Sequence, residues 1–119
     1  MPFGFLSKTC KNIMNTKEKV LLTREQETLL VPLYSKAMES RRPNPIFLDE
    51  KAQEILGRVE YDFTTLHIPR KTTITLCIRA NKLDTYAREF LPIHPDAVVL
   101  QLGCGLDGRC IRVKHPQAE

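Results

Sequence analysis

The residues best suited to chemistry form a glycine-rich loop in the stretch DAVVLQLGCGLDGRC, residues 96–110 of the 119-residue chain. An apolar run over 98–102 leads into GCGLDG (103–108), which has the spacing G-x-G-x-x-G. Glycines tolerate positive φ and let the backbone approach a ligand closely. Backbone N–H groups in such a loop can also cradle an anion. The loop is therefore the first candidate binding site.

Three interpretations of this loop stay open on the residues alone. A dinucleotide site needs a following helix, a second strand and an acidic residue about 20 positions further on to hold a ribose hydroxyl. That position falls near or beyond residue 119. Asp107 also adds negative charge where a pyrophosphate is negative, so it better suits a nucleotide-like cofactor with amino and sulfonium groups. The third interpretation is a structural turn without a ligand.

A buried strand is predicted immediately before the loop, over residues 97–102. Its apolar side chains show little alternation, which is typical of a parallel strand covered on both faces. Open α/β sheets bind ligands where such strands end. No other segment predicts a strand of this quality. We therefore expect the chain to be the front portion of a larger α/β protein.

Three helical regions are predicted upstream of the strand. Thr23 and Gln26 fit a capping box at the start of the first, in which Pro32 indicates a kink or a later start. Asp49 is a plausible N-cap for the second, over 48–59. The third lies within 71–96, with a bend predicted near Asn81, and residues 60–70 are predicted to be loop. Each predicted helix has an apolar face. In the first helix it comprises Leu29, Leu30, Leu33, Tyr34, Ala37 and Met38, in the second Ala52, Ile55, Leu56 and Val59, and in the third Leu83, Ala87, Phe90 and Leu91. Pro92 and Pro95 are predicted to end the third helix.

Composition argues against several classes of partner. The 18 basic and 14 acidic residues are spread along the chain, so no concentrated basic surface predicts nucleic-acid binding. No apolar run approaches the roughly 20 residues that span a membrane. The N-terminus does not fit a signal peptide, so a cytoplasmic location is expected. No metal site is predicted, because the four cysteines form no C-x-x-C pair and the three histidines lack helical i, i+4 spacing.

Two long segments resemble the leucine carboxyl methyltransferase-like family, which includes polyketide O-methyltransferases of the tetracenomycin type. They read ETLLVPLYSKAMESRRPNPIFLDEKAQEIL and IRANKLDTYAREFLPIHPDAVVLQLGCGLDGRCIRV, and the resemblance covers roughly residues 20–113. It implies an α/β class I (Rossmann-like) methyltransferase fold with an N-terminal helical cap, here truncated. The implied division is an irregular N-terminus (1–20), a helical cap (21–95), and the first strand with the cofactor loop of an incomplete domain (96–119).

The resemblance also implies S-adenosyl-L-methionine as cofactor. Gly103, Cys104 and Gly105 would line its methionine end, Asp107 occupies the acidic position of the motif, and Arg79 would reach the cofactor's carboxylate. A guanidinium can hold a carboxylate through two parallel hydrogen bonds. The implied reaction transfers a methyl group to a carboxylate or hydroxyl of a small-molecule acceptor.

Several features separate this chain from the family pattern, among them the lack of the family's aromatic residue near Cys110. The family usually has Thr where this chain has Gly108, and the segments that follow the first motif are missing, so the isolated chain is expected to be inactive. No catalytic base is assigned, because His67 and His94 are predicted surface histidines and Asp84 and Glu89 are predicted solvated helix charges. The alternative is a non-catalytic remnant or a helical interaction module, which would self-associate through the uncovered strand.

Overall fold

The computed structural model describes residues 17–113, which fold mainly into α-helices. Two short strands pair in parallel, with Glu18 opposite Val59 and Lys19 opposite Glu60. This combination of helices with a minimal parallel sheet is consistent with the predicted α/β class. In chain order the elements are β1 (Glu18–Lys19), α1 (Arg24–Glu27), α2 (Leu30–Ser40), α3 (Glu50–Arg58), β2 (Val59–Glu60), a 3-10 turn (Phe63–Leu66), α4 (Arg70–Phe90) and α5 (Arg109–Arg112).

The first predicted helix is divided into α1 and α2. The backbone N–H of Thr23 donates to Oε1 of Gln26 at 3.1 Å, so the predicted capping box begins α1. Pro32 is the third residue of α2 and lies in its first turn. Backbone N–H groups in the first turn have no intrahelical acceptor, so the lack of an N–H at proline costs no hydrogen bond there. The later helix start that Pro32 indicated is confirmed.

The main core lies between α2 and α3. Asp49 caps α3 as predicted, because its side chain accepts a hydrogen bond from the Ala52 N–H at 2.9 Å. Leu29 and Met38 of the predicted apolar face are exposed instead of buried. The buried cluster contains Leu30, Leu33, Ala37, Ala52 and Leu56, and a smaller one contains Phe47, Cys77 and Ala80.

Helix α4 is one continuous helix, so the bend predicted near Asn81 is wrong. No proline or glycine interrupts residues 70–90, and a single asparagine lowers helix propensity only slightly. The predicted stripe is also wrong in part, because Leu83 and Phe90 are exposed. The face that turns inward carries Thr73, Cys77, Ala80 and Asp84.

The predicted strand over 97–102 is not formed within residues 17–113. Its segment has no regular secondary structure, and Val98, Leu100 and Leu102 are 83%, 80% and 91% exposed. A strand exists only when a neighbour completes its hydrogen bonds. The described part of the chain places no strand beside this segment, which leaves its apolar side chains uncovered.

No helix in the range 17–113 is both long and apolar enough to cross a bilayer.

Candidate functional site

The glycine loop adopts the backbone geometry that its sequence predicts. Gly103 and Gly105 have φ of 61° and 53°, in the left-handed region where glycine avoids a steric cost. A Cβ at Gly103 would meet no atom within 4 Å, whereas one at Gly105 would lie 3.3 Å from Cδ2 of Leu29. The loop then closes through a 3.0 Å hydrogen bond from the Asp107 N–H to the Cys104 carbonyl.

Asp107 fixes this loop to the rest of the molecule. Its Oδ1 accepts hydrogen bonds from Lys36 Nζ at 2.8 Å and Arg112 Nη2 at 2.9 Å, and its Oδ2 accepts one from Gln101 Nε2 at 2.7 Å. Burial alone would raise the pKa of Asp107, but the hydrogen bonds from Lys36 and Arg112 outweigh it and lower the pKa from 3.8 to about 2. The carboxylate is therefore ionised at neutral pH and engaged by the protein's own donors.

Arg112 holds three carboxylates from three parts of the fold. Its Nη1 donates to Asp49 at 2.7 Å, its Nε donates to Asp84 at 2.7 Å, and its Nη2 donates to Asp107. The side chain is only 8% exposed and stacks over the Phe47 ring at 4.9 Å. These carboxylates raise the pKa of Arg112 and outweigh the opposing effect of burial. The guanidinium thus joins α5 to the N-terminus of α3, the middle of α4 and the glycine loop.

Asp84 corrects a prediction made from the sequence. It was expected to be a solvated helix charge, but it is fully buried and also accepts a 2.9 Å hydrogen bond from Arg109 Nε. A signal was present, because Asp84 follows Cys77 and Ala80 at helical spacing on the face of α4 that turns inward. The two guanidiniums that neutralise Asp84 come from residues 25 and 28 positions away, which no local pattern indicates.

A cleft of about 330 Å³ brings most of the predicted binding residues together. Gly103, Cys104 and Asp107 line it from the loop, and the exposed Arg79 lines it from α4. Lys36 of α2 and Arg109 of α5 also belong to its lining. Gly105 lines a neighbouring pocket of about 120 Å³, which shares Gly103, Cys104 and Asp107 with the cleft and also includes Leu29. Three cationic side chains and one carboxylate give the cleft a net positive charge, which favours an anionic group.

Arg79 differs from the other cations of this cleft. Lys36 and Arg109 are both engaged in ion pairs with Asp107. Within residues 17–113, Arg79 forms no ion pair. Its guanidinium is therefore the cation of the cleft best placed to meet an incoming anion.

The other titratable candidates lie outside this cleft. His67 and His94 are exposed, as predicted, with Nδ1 of His67 2.8 Å from the Thr65 carbonyl oxygen. Glu89 is exposed, also as predicted.

The three described cysteines occupy different environments. Cys77 is buried and Cys104 and Cys110 are exposed, whereas Cys10 lies outside the described residues. Burial raises the pKa of the Cys77 thiol to about 11. The described residues contain no group of three or more His, Cys, Asp or Glu side chains that could hold a metal ion.

Comparison with known proteins tests the predicted resemblance. The chain is 44% identical over 99 residues to the tetracenomycin polyketide synthesis O-methyltransferase TcmP of Streptomyces glaucescens, and the match covers 83% of this chain. Over most of its length this chain is therefore similar to a tetracenomycin-type O-methyltransferase. It is also 33% identical over 106 residues to the S-adenosyl-L-methionine-dependent methyltransferase dpfgK of Gibberella zeae, a match that covers 82% of the chain. The predicted resemblance is confirmed.

The relationship covers only part of these enzymes. The matches span 37% of TcmP and 36% of the Gibberella protein, so the chain corresponds to little more than a third of either relative. No protein-family model matches the chain, and no solved structure matches it significantly.

Proposed function

We propose that this chain is the cofactor-binding portion of an S-adenosyl-L-methionine-dependent O-methyltransferase that acts on a carboxylate or hydroxyl of a small molecule. One observation carries the proposal: a single positively charged cleft joins the glycine loop at Gly103 and Cys104 to Arg79 of α4. The relatives support it, since one is named as a polyketide O-methyltransferase and the other as dependent on S-adenosyl-L-methionine. A role in polyketide biosynthesis follows from the first relative and is part of the proposal.

The cleft suits the amino-acid end of that cofactor. Its volume of about 330 Å³ lies at the low end for ligand sites, so it would hold part of a ligand of this size. The Arg79 guanidinium would pair with the carboxylate, and the open space beside Gly103 would let the backbone approach. When bound, the cofactor supplies the methyl group, and the protein aligns donor and acceptor.

The predicted binding residues take different roles in this proposal. Arg79, Gly103 and Cys104 would contact the cofactor, because they face the cleft. Gly105 would permit the turn, and it lines the neighbouring pocket and not the cleft itself. Asp107 would hold the loop in place, since both of its oxygens already accept hydrogen bonds from the protein.

The proposal extends to the fold of the whole enzyme. Residues 97–102 would become the first strand of a class I (Rossmann-like) sheet when neighbouring strands are present. Their apolar and exposed side chains support this, because such a surface is stable in water only when it is covered. The 119-residue chain alone would then lack an acceptor pocket and show no methyl transfer.

Calorimetric titration of the chain with S-adenosyl-L-methionine tests the proposed function. We expect measurable binding that Arg79→Ala weakens at least tenfold, because the carboxylate loses its charged partner. Gly105→Val should also weaken binding, because valine is strained at positive φ and its Cβ would press on Leu29. Lys71→Ala is the matched control, since it removes an exposed cation of the same helix outside the cleft. No binding by the parent chain, or equal binding by Arg79→Ala, would contradict the proposal.

The interaction-module alternative rests on a separate observation, the exposed apolar side chains of Val98, Leu100 and Leu102. If these side chains serve association instead of a larger sheet, sedimentation should show a stable dimer and calorimetry should show no cofactor binding. A parallel titration with NAD tests the dinucleotide interpretation, for which we expect no binding.

A further inference from the structure

The glycine loop is held by a buried network of charges that reaches well beyond the proposed cofactor cleft. Each side chain of the network is less than a fifth exposed, and each belongs to at least one ion pair in the set. Buried charges are tolerated only when they are paired and hydrogen-bonded. The network contains three cations and three carboxylates: Lys36, Arg109 and Arg112, with Asp49, Asp84 and Asp107.

Arg112 is the one member in contact with all three carboxylates. Asp49 is the N-cap of α3, 63 residues away in sequence, and Asp84 lies in the middle of α4, 28 residues away. Asp107, only five residues away, ends the tight part of the glycine loop. The loop is therefore linked through the Arg112 guanidinium to both helices, and Arg109 adds a second link between Asp107 and Asp84 of α4.

The geometry of this contact depends on arginine itself. The planar guanidinium directs Nε and Nη2 at Asp84, Nη1 at Asp49 and Nη2 at Asp107, so the three carboxylates lie at fixed angles around it. A lysine ammonium carries the same charge but has no planar array of donors. Moving the loop away from α3 and α4 would take hydrogen-bond partners from buried carboxylates, which is strongly unfavourable.

We infer that Arg112 is a positioning residue that sets the place of the glycine loop in the cleft, through simultaneous hydrogen bonds to Asp49, Asp84 and Asp107. Its side chain does not line the cleft that holds Arg79 and Gly103, so it acts through Asp107 and not on the ligand. The helical cap and the loop then behave as one unit, in which a change at the start of α3 alters the cleft. The ligand-binding consequence rests on the proposed function, but the positioning itself does not.

Amide hydrogen exchange measured by NMR on the full chain tests this inference without any ligand. In Arg112→Lys we expect the protected amides of Asp107, Arg112 and Val113 to exchange at least tenfold faster. Amides in the core of α2 and α3 should change less than twofold. Arg58→Lys is the matched control, because it makes the same replacement at a half-exposed arginine outside the network. Equal acceleration in the loop and in the helices, or no acceleration at all, would overturn the inference.

A second variant decides the matter if Arg112→Lys does not fold. Asp49→Asn keeps a good helix N-cap but removes the charge that faces Arg112. Residue 49 does not line the cleft, so any effect on the loop must pass through Arg112. We expect the amides of residues 107–113 to exchange faster than in the parent chain, and the amides of α3 to exchange at the same rate. Unchanged exchange at 107–113 in a folded Asp49→Asn chain would refute the link between α3 and the loop.

Titration with S-adenosyl-L-methionine then separates the two proposals. If the parent chain binds, both variants should bind at least fivefold more weakly, and full affinity in both would overturn the positioning role. If the parent chain does not bind, the proposed function fails. The exchange result then still supports or overturns the role of Arg112 in placing the loop.

Discussion

Replacing Asp107 with asparagine removes the negative charge that Lys36, Arg112 and Gln101 share, while keeping nearly the same side-chain shape. The folded state lowers the pKa of this carboxyl from 3.8 to about 2, mainly through the hydrogen bonds from Lys36 and Arg112, which outweigh burial. Each pKa unit corresponds to about 1.4 kcal/mol, so the ionised carboxylate stabilises the fold by roughly 2 to 3 kcal/mol. The side chain is 16% exposed, so solvent screening takes little from this figure.

Urea unfolding at pH 7, followed by circular dichroism, measures this effect. We expect Asp107→Asn to lose about 2 to 4 kcal/mol of unfolding free energy, because Lys36 and Arg112 also lose a buried partner. Asp96→Asn is the control, because it makes the same change at an exposed aspartate and should stay within about 0.5 kcal/mol of the parent.

The stabilisation by the Asp107 carboxylate should decrease as the solution becomes more acidic. Because the folded pKa lies below the unfolded value, the stabilisation is fully present above about pH 4. It is lost as the pH falls through about 2, so the difference between parent and variant should shrink over that window. A variant as stable as the parent at pH 7, or a difference that grows with acid, would refute the assigned role of Asp107.

Two further substitutions and one labelling experiment have defined outcomes. Asp84→Asn removes the buried negative charge that Arg109 and Arg112 both contact, and should cost about 3 to 5 kcal/mol in urea unfolding. Glu89→Gln, on the exposed side of the same helix, should cost less than about 0.5 kcal/mol. Gly105→Ala should lower stability by about 1 to 2 kcal/mol, because alanine is strained at positive φ and its Cβ would press on Leu29; a variant that melts with the parent would contradict this reading. Cys77, buried and with its pKa raised to about 11, should resist thiol labelling at pH 8 until urea unfolds the chain, and rapid labelling detected by mass spectrometry would be inconsistent with its burial.

Features that depend on local chemistry could be predicted from the sequence. The start of α1 after Thr23 and the cap at Asp49 follow from side chains that bond to backbone N–H groups three residues away. The left-handed turns at Gly103 and Gly105 follow from the absence of a Cβ. Placing Arg79 beside this loop required the family resemblance, because no local pattern joins residues so far apart.

Features that depend on distant partners were missed. The segment 97–102 has the composition of a strand, but hydrogen bonding to a neighbour decides whether a strand forms. Asp84 looked like a surface charge because arginines 25 and 28 residues later neutralise it. The network around Arg112 joins residues up to 63 positions apart, so only the folded structure brings its members together.

A two-dimensional amide NMR titration of the 119-residue chain with S-adenosyl-L-methionine tests the proposed cofactor cleft most directly. Saturable shifts should concentrate at Gly103, Cys104 and the Arg79 side chain, with adenosine alone giving much smaller shifts because it lacks the carboxylate. The absence of shifts, or shifts confined to the apolar segment 97–102, would contradict a cofactor site at the glycine loop.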